Sequence, residues 1–537
     1  MSLLLGVVAF GCGRNGHADE SLGLDTEALS EAWVSARETG PSALKHHAQD
    51  PLIKSLYQER SWRFLLFDPP ILTRQGRAVL DICENGVFDG FDHDPTVDTV
   101  LLLWAQAESL RVLATESDAS DPRQLYRMSI DRLAEAELAL IRAWQHWAKN
   151  MGIKPDSLTG LTRLFFTDPD SATRAVIPDV RDYRVIRATV CMYTYMPDWS
   201  GPDFSLEKGE KLQMGDRGPE VASVQKRLAA EGFYTGEITG VYDSATVMAV
   251  KSFQRFHYLD EDGVVGPATL RNMKVSRKTL IKRMKRSLVY WRTTPLLKTI
   301  AKTKGTDRWV FRVNIPEFTL HVYKGGQEIQ RNKVCVGSAR SDTNYTPTVR
   351  DTVEFIVINP KWNVPDRIFE EELLEDIYET GDVFEFMQKK RFDVAYDKRK
   401  DKMWLVREPG NANALGRVKF LFPNRYNIYL HDTPTKGPFS RKIRAVSHGC
   451  IRLQGAIDLA KTILVQSEGW TEAQFQRAMD STVVVNGRKV HKDIWVKLRH
   501  KIPIFVDYVL TGVDPDLDRA VFLPDIYKGY EGKRRTY

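Results

Sequence analysis

Cys450 stands in the run Ser447-His448-Gly449-Cys450-Ile451-Arg452-Leu453, nineteen positions (450 − 431) after His431. A thiol attacks an acyl carbon as its thiolate, and a free cysteine near neutral pH is mostly protonated, so a base must stand beside it. His431 closes the run Asn427-Ile428-Tyr429-Leu430-His431, which alternates like a half-buried strand and presents the imidazole at the strand's end. It is the candidate base; His448, two residues before the thiol, need not point the same way. Gly449 lets the backbone turn sharply and leaves the amides of Gly449 and Cys450 open to a substrate oxygen, as an oxyanion hole. The spacing of Ala456, Ile457, Leu459, Ala460, Ile463 and Leu464 is helical, which places Cys450 just ahead of a helix start whose partial positive charge favours the thiolate. A zinc site of His431, His448 and Cys450 is the competing reading, and it lacks a second cysteine pair or acidic ligand at the usual spacing. Cys83, Cys191 and Cys335 sit in apolar surroundings and read as packed core.

The elements that must hold this site read as β-rich. From near Asp307, Trp309-Phe311-Val313-Ile315 and Phe318-Leu320-Val322 alternate with polar positions, Gly325-Gly326 supplies a hairpin turn, and Val353-Phe355-Val357 and Val418-Phe420 continue a sheet of antiparallel strands in series. The charged stretch 366–416 interrupts this sheet, with a helical first half over Phe369–Ile377. Ahead of the sheet, residues 208–273 contain an internal repeat: Gly240-Val241-Tyr242-Asp243-Ser244-Ala245-Thr246 and Gly263-Val264-Val265-Gly266-Pro267-Ala268-Thr269 each give a glycine turn, a short apolar segment and a helix start. Asp243 is the expected N-cap, and Pro267 suits a first helical turn. Residues 20–205 read as mostly helical, with Leu133, Ala136, Leu140, Ile141, Trp144 and Trp147 on one inward face. No catalytic constellation occurs there, and His46, His47, His93 and His146 read as surface or packing residues. The basic run Lys274, Arg277, Lys278, Lys282, Arg283, Lys285 and Arg286 reads as a solvated face of a helix that returns through Leu288 and Trp291 to the scaffold.

The SHGCIRL string with its upstream histidine resembles the signature of the L,D-transpeptidase (YkuD-type) catalytic domain. Asn359-Pro360-Lys361-Trp362-Asn363-Val364-Pro365 and Asn413-Ala414-Leu415-Gly416-Arg417-Val418-Lys419-Phe420 resemble the large YcbB-like branch of that family, and the resemblance runs from about residue 60 to the C-terminus. Residues 208–273, through Gly215-Asp216-Arg217-Gly218-Pro219-Glu220-Val221, Phe253-Gln254 and Asp262-Gly263, resemble the peptidoglycan-binding type 1 domain. The expected fold is therefore multidomain α+β. Its parts are a signal or lipoprotein-type segment (1–19), a helical scaffold (20–207), a three-helix peptidoglycan-binding domain (208–273), a basic linker helix (274–305), a mostly-β catalytic domain (306–510) with a capping insertion (366–416), and a tail (511–537).

The resemblance implies that Cys450 attacks a peptidoglycan tetrapeptide stem, releases D-alanine and passes the acyl group to a diaminopimelate amine, making a 3-3 cross-link. Water as acceptor would make a hydrolase, an L,D-carboxypeptidase or endopeptidase, and an idle site would leave a wall-binding protein. Around the pair, Asp432 orients His431 through its backbone carbonyl or its carboxylate. One of Arg444 and Arg452 clamps a stem carboxylate while the other braces the loop. Ser447 bonds the loop backbone, and Tyr429 and Trp362 are candidate cleft-lining aromatics. No cofactor or metal is required.

The charge balance, 77 basic against 70 acidic residues for a net +7, is too small and too evenly spread for nucleic acid, and suits a carboxylate-bearing polymer. Five cysteines, widely spaced and odd in number, make no disulfide framework. The short apolar run Leu3–Phe10 before Gly11-Cys12-Gly13 reads as the end of an export signal, with Cys12 the candidate for lipid modification. No Lys or Arg precedes it, and Ala9-Phe10-Gly11 departs from the leucine-led lipoprotein pattern. The resemblance to a wall-acting family implies a periplasmic or cell-envelope location.

Overall fold

The computed structural model describes residues 42–528, apart from 69–70, 85, 87–88, 90, 92–93, 115–120, 200, 208, 400, 411–412 and 486. The signal-type segment 1–19, Cys12 and His93 lie outside the described residues. Two compact units emerge, Met1–Val87 with Phe91–Ile177, and Phe88–Gly90 with Pro178–Tyr537. No helix among the described residues is long and apolar enough to cross a membrane.

The first unit carries helices α1 (Pro51–Glu59), α2 (Arg74–Glu84), α3 (Pro95–Ala114), α4 (Pro122–Asn150), α5 (Pro155–Thr167) and α6 (Pro169–Val176), with a short hairpin of β1 (Phe67–Asp68) and β2 (Ile71–Leu72). The expected face of α4 is buried from Leu133 to Trp147. Glu137 shares that face and is fully buried, its carboxylate accepting from the amides of Leu65, Leu66 and Phe67 and from the Tyr57 hydroxyl. Four donors replace the water it gives up. His47 and His146 are ion-pair partners of Asp131 (3.0 Å) and Asp94 (2.7 Å).

The second unit begins with α7 (Arg181–Tyr195), which the sequence reading had assigned to the scaffold. The small domain follows as α8 (Pro219–Ala230), α9 (Ser244–Phe256) and α10 (Pro267–Met273), around a core of Val221, Val224, Leu228, Ala249, Val250, Phe253, Leu270 and Met273. Asp243 caps α9 by accepting from the Thr246 amide at 2.8 Å. Two buried glutamines explain the internal repeat. Gln225 accepts from Gly240 N at 3.0 Å and donates to Val241 O at 3.0 Å; Gln254 accepts from Gly263 N at 2.9 Å and donates to Val264 O at 3.0 Å. Each helix thus pins the glycine turn that launches the next. The basic run leads into α11 (Arg277–Thr293), which buries Leu280, Met284, Leu288 and Trp291 and packs on α7, and α12 (Leu296–Ala301) follows.

The remaining chain forms a mixed sheet that closes on itself. Its strands are β3 (Trp309–Asn314), β4 (Thr319–Lys324), β5 (Gln327–Gly337), β6 (Val349–Ile358), β10 (Val418–Leu421), β11 (Leu430–His431), β12 (Ala445–Ser447), β13 (Ile451–Leu453) and β16 (Ile494–Asp507). The order is β12-β5-β13-β11-β10-β6-β16-β3-β4, and a further β4–β5 pairing shuts the ring. The series is not wholly antiparallel, because β11 runs parallel to β13 and β3 parallel to β16. One face buries Phe420, Leu430, Ile451, Leu453, Val334 and Ile356 together with Leu459, Ala460, Ile463 and Leu464 of α16 (Ala456–Ser467). Then come α17 (Glu472–Asp480) and the hairpin β14 (Thr482–Val485) and β15 (Arg488–His491).

The insertion holds β7 (Trp362–Asn363), α13 (Asp366–Ile368), a π turn (Phe369–Leu373), α14 (Leu374–Thr380), α15 (Val383–Lys390), β8 (Phe392–Asp397) and β9 (Lys402–Arg407), with its own core of Val364, Phe386 and Phe392. Residues expected as a tail instead form the hairpin β17 (Thr511–Val513) and β18 (Ala520–Phe522). Strands this short carry no readable alternation. The hairpin joins the small domain to the sheet: Arg255 of α9 is bidentate to Asp514 at 2.7 and 2.8 Å, and Phe256 packs with Val521 and Leu523.

Candidate active site

Strand register assembles the site. In β11–β13 Leu430 faces Ile451 and His431 faces Arg452; in β10–β11 Lys419 faces His431; in β5–β13 Cys335 faces Arg452. Alternate residues of a strand point to opposite faces. With Phe420, Leu430 and Ile451 committed to the core, the row Lys419, His431, Arg452 lies on the other face, and Tyr429 and Cys450, two residues back along their strands, share it. The sequence reading placed Cys450 and His431 in one site; His431 ends β11, and Cys450 immediately precedes β13, the strand paired with it.

His431 is buried, and its Nδ1 lies 2.5 Å from the backbone carbonyl of Asp432. A carbonyl only accepts, so Nδ1 carries the hydrogen and Nε2 keeps its lone pair. Of the two orienting groups considered for Asp432, the carbonyl makes this contact. The carboxylate instead accepts from Arg417 N at 3.0 Å and from Lys436 Nζ at 2.5 Å. Burial, with Arg452 adding to it, pushes His431 down to about 3. Burial also pushes the half-buried Cys450 thiol up, against the pull of Tyr429, Lys419 and Arg452. The resting pair is a neutral thiol and a neutral imidazole. The helix expected after the loop does begin at Ala456, as α16, but strand β13 (Ile451–Leu453) separates it from Cys450, so the partial charge of its N-terminus acts too far away to favour the thiolate.

The loop before Cys450 is braced from several sides. Ser447 Oγ donates to Cys450 O at 2.6 Å and accepts from Gly449 N at 3.2 Å. The Gly449 amide is therefore engaged, leaving Cys450 N–H as the open donor of the expected pair. Gly449 has φ +116°, a conformation that favours glycine, and its carbonyl accepts from Thr346 Oγ1 at 2.8 Å. Arg444 is buried and spends its guanidinium on the carbonyls of Val334 (3.1 Å), Phe318 (2.8 Å) and Arg441 (2.8 Å). It is the brace of the arginine pair. Arg452 is only half-buried, and its side chain makes no hydrogen bond or ion pair among the described residues. His448 is half-buried, and its carbonyl accepts from Arg367 of the insertion at 3.4 Å. Tyr429 lies beside the thiol, its ring 5.7 Å from that of His431. Trp362 belongs elsewhere, packed in the insertion's core at 6.2 Å from Phe392. Among the described residues the one grouping with metal-ligand spacing is His47, Asp131 and Glu135, so the zinc alternative at Cys450 does not assemble.

Four contributors escaped the sequence reading. Lys419 stands beside His431 with its Nζ 3.9 Å from the Tyr429 ring centre. Thr346 holds Gly449; Arg367 also donates to Asn344 Oδ1 at 2.6 Å; and the Tyr527 hydroxyl donates to Gly337 O at 2.8 Å while accepting from Thr346 N at 3.1 Å. Lys419 had a signal, since its neighbours Val418 and Phe420 alternate inward. The other three depend on contacts across 80 or more residues for Arg367, 103 for Thr346 and 190 for Tyr527.

Residues 308–485 match the L,D-transpeptidase catalytic domain family, YkuD, and residues 217–273 match the family described as "Putative peptidoglycan binding domain". A Haemophilus influenzae protein named "Putative L,D-transpeptidase" is 33% identical over 230 residues, covering 41% of this chain and 44% of that protein. The chain thus spans less than half the length of this relative. The spore cortex-lytic enzyme of Bacillus subtilis is 40% identical over 70 residues, 13% of this chain and 23% of its own. Among solved structures, the L,D-transpeptidase (residues 123–326) of Xylanimonas cellulosilytica is similar at 16% identity and TM-score 0.17, over 56% of this chain and 100% of that one. The chain therefore carries a catalytic domain of the YkuD L,D-transpeptidase family, preceded by a domain of the peptidoglycan-binding type 1 family.

Proposed function

We propose that this chain is an exported, cysteine-dependent L,D-transpeptidase that acts on peptidoglycan in the periplasm or cell envelope. The observation that carries the reading is that Cys450 immediately precedes β13, the strand paired with β11, which ends in His431, and that the Asp432 carbonyl sets the histidine's tautomer. Sγ of Cys450 attacks the carbonyl between the third and fourth residues of a tetrapeptide stem while its proton passes to Nε2 of His431. The oxyanion is met by the Cys450 amide. His431 returns the proton to the leaving nitrogen, and D-alanine departs. A diaminopimelate amine of a second stem then attacks the thioester; its proton passes through His431 to the departing Cys450 sulfur as the C–S bond breaks, closing a 3-3 cross-link. A neutral resting pair fits this sequence of events, since proton transfer waits until a bound carbonyl can take up the developing charge. Arg452, unpaired beside the thiol, is the candidate clamp for the acyl side of the stem. The insertion caps the bound substrate through Arg367, which reaches the catalytic loop. The small domain holds the enzyme to the wall.

Incubation with tetrapeptide muropeptides and mass spectrometry of the products tests this, with Cys450→Ala as control. Dimers joined between third residues are expected. Tripeptide alone would mean that water is the acceptor, and no Cys450-dependent product with retained sacculus binding would leave a wall-binding protein.

A further inference from the structure

The two steps above leave one group of the substrate without a partner, the carboxylate on the carbon next to the leaving nitrogen. Three adjacent strands set its position. Cys450 and Arg452 belong to the β13 side, His431 to β11 and Lys419 to β10, and the register puts Arg452, His431 and Lys419 in one row. An acyl carbon bonded to Sγ lies over the β13 side. The leaving nitrogen must lie against His431 to receive its proton, so the rest of the leaving group continues away from the thiol, over β10. Neighbouring strands stand about 4.8 Å apart. The carboxylate, two bonds beyond the nitrogen, is directed toward β10, within reach of the long Lys419 side chain.

Lys419 suits an anion there. Its side chain makes no hydrogen bond or ion pair among the described residues; its Nζ rests over the Tyr429 ring at 3.9 Å. Half-buried, its ammonium is pushed down by burial and held up in part by Cys450 and Asp493. A carboxylate docked against it would replace lost hydration with a charge-assisted contact.

We infer that Lys419 is the recognition residue for the carboxylate of the leaving amino acid, so that the site takes stems ending in a free α-carboxylate over those ending in an amide. This rests on the transpeptidase reading. In the acylation step the S–C bond forms, the C–N bond breaks, and the thiol proton travels through His431 Nε2 to the leaving nitrogen. The amino acid departs as a free amine with its carboxylate still on Lys419. An attacking amine enters by the same path in reverse, so an acceptor whose amine-bearing carbon also carries a carboxylate meets the same lysine.

The test compares the full chain with Lys419→Met and Lys419→Arg on a tetrapeptide stem and on the same stem with a C-terminal carboxamide. Iodoacetamide labelling of Cys450 serves as the check on an intact site. The wild type is expected to prefer the acid in kcat/KM by about 10- to 100-fold, the range of one charge-assisted contact. Lys419→Met should lose that preference through KM with thiol labelling retained, and Lys419→Arg should restore most of it. A wild type indifferent to amidation would overturn the inference, as would Lys419→Met losing acid and amide equally. Turnover of neither stem by the wild type would instead overturn the transpeptidase reading, and the role of Lys419 with it.

Discussion

His431 makes the barrel sensitive to acid in a calculable way. Its folded value of about 3 lies below the ordinary 6.5, because burial and the Arg452 guanidinium disfavour the imidazolium. The unfolded chain therefore binds a proton that the folded chain refuses. The stability contribution is full above pH 6.5 and is lost as pH falls toward 3. At pH 5 the gap already open is 1.5 units, about 2 kcal/mol at 1.36 kcal/mol per unit. The partly opposing group is His321, raised to about 8 by Glu317 and Glu328 against burial; its contribution is present below 6.5 and lost as pH rises through 8. Glu317 and Glu328, both held at about 2, lose their contribution only below the ordinary 4.5. These groups are common to wild type and His431→Gln, so they cancel in the comparison. Urea unfolding of both proteins at pH 7 and pH 5 should show the wild type losing about 2 kcal/mol more than the variant over that interval. Parallel losses would mean that His431 titrates near its ordinary value and that burial does not hold its imidazole neutral at pH 5.

Tyr527→Phe keeps the ring stacked on Tyr345 at 4.1 Å but strips the hydroxyl from Gly337 O and Thr346 N. It should cost about 1–3 kcal/mol in urea unfolding, as buried partners left unpaired do, and lower kcat more than KM because Thr346 holds Gly449. Arg444→Met removes the guanidinium from the Val334, Phe318 and Arg441 carbonyls, of which Phe318 O keeps the Val334 amide at 2.8 Å, and should destabilise by about 3 kcal/mol; an exposed substrate clamp would show no such loss on thermal unfolding. Gly449→Ala places a side chain at φ +116° and should cost about 1–3 kcal/mol of strain while abolishing tetrapeptide turnover, which paired melting and activity measurements would separate.

The candidate site could be read because its expected residues are close in sequence. The thiol, its loop and the expected base sit within nineteen positions (450 − 431), although of the run 427–431 read as an alternating strand only Leu430–His431 form β11. The roles of the two arginines were not legible, since Arg444 is defined by carbonyls 110 and 126 residues away. The helix from Ala456 was legible, but the strand Ile451–Leu453 that separates it from the thiol was not, because three residues are too few to display a strand period. The boundary of the scaffold shifted for a similar reason. α7 has the same amphipathic pattern as its neighbours, and its packing on α11, β17 and β18 assigns it to the second unit. The repeat in the small domain was visible as glycine turns, while the glutamines that enforce it, Gln225 and Gln254, precede the turns they hold by 15 and 9 residues.

The most direct measurement of the central claim is the intact mass of the protein after brief incubation with a tetrapeptide stem and an acid quench, followed by peptide mapping. The expected result is a thioester on Cys450 whose mass equals the stem less D-alanine, absent in Cys450→Ala and slowed in His431→Gln. A stem cleaved at the same bond with no adduct on Cys450, or with cleavage persisting in Cys450→Ala, would contradict it.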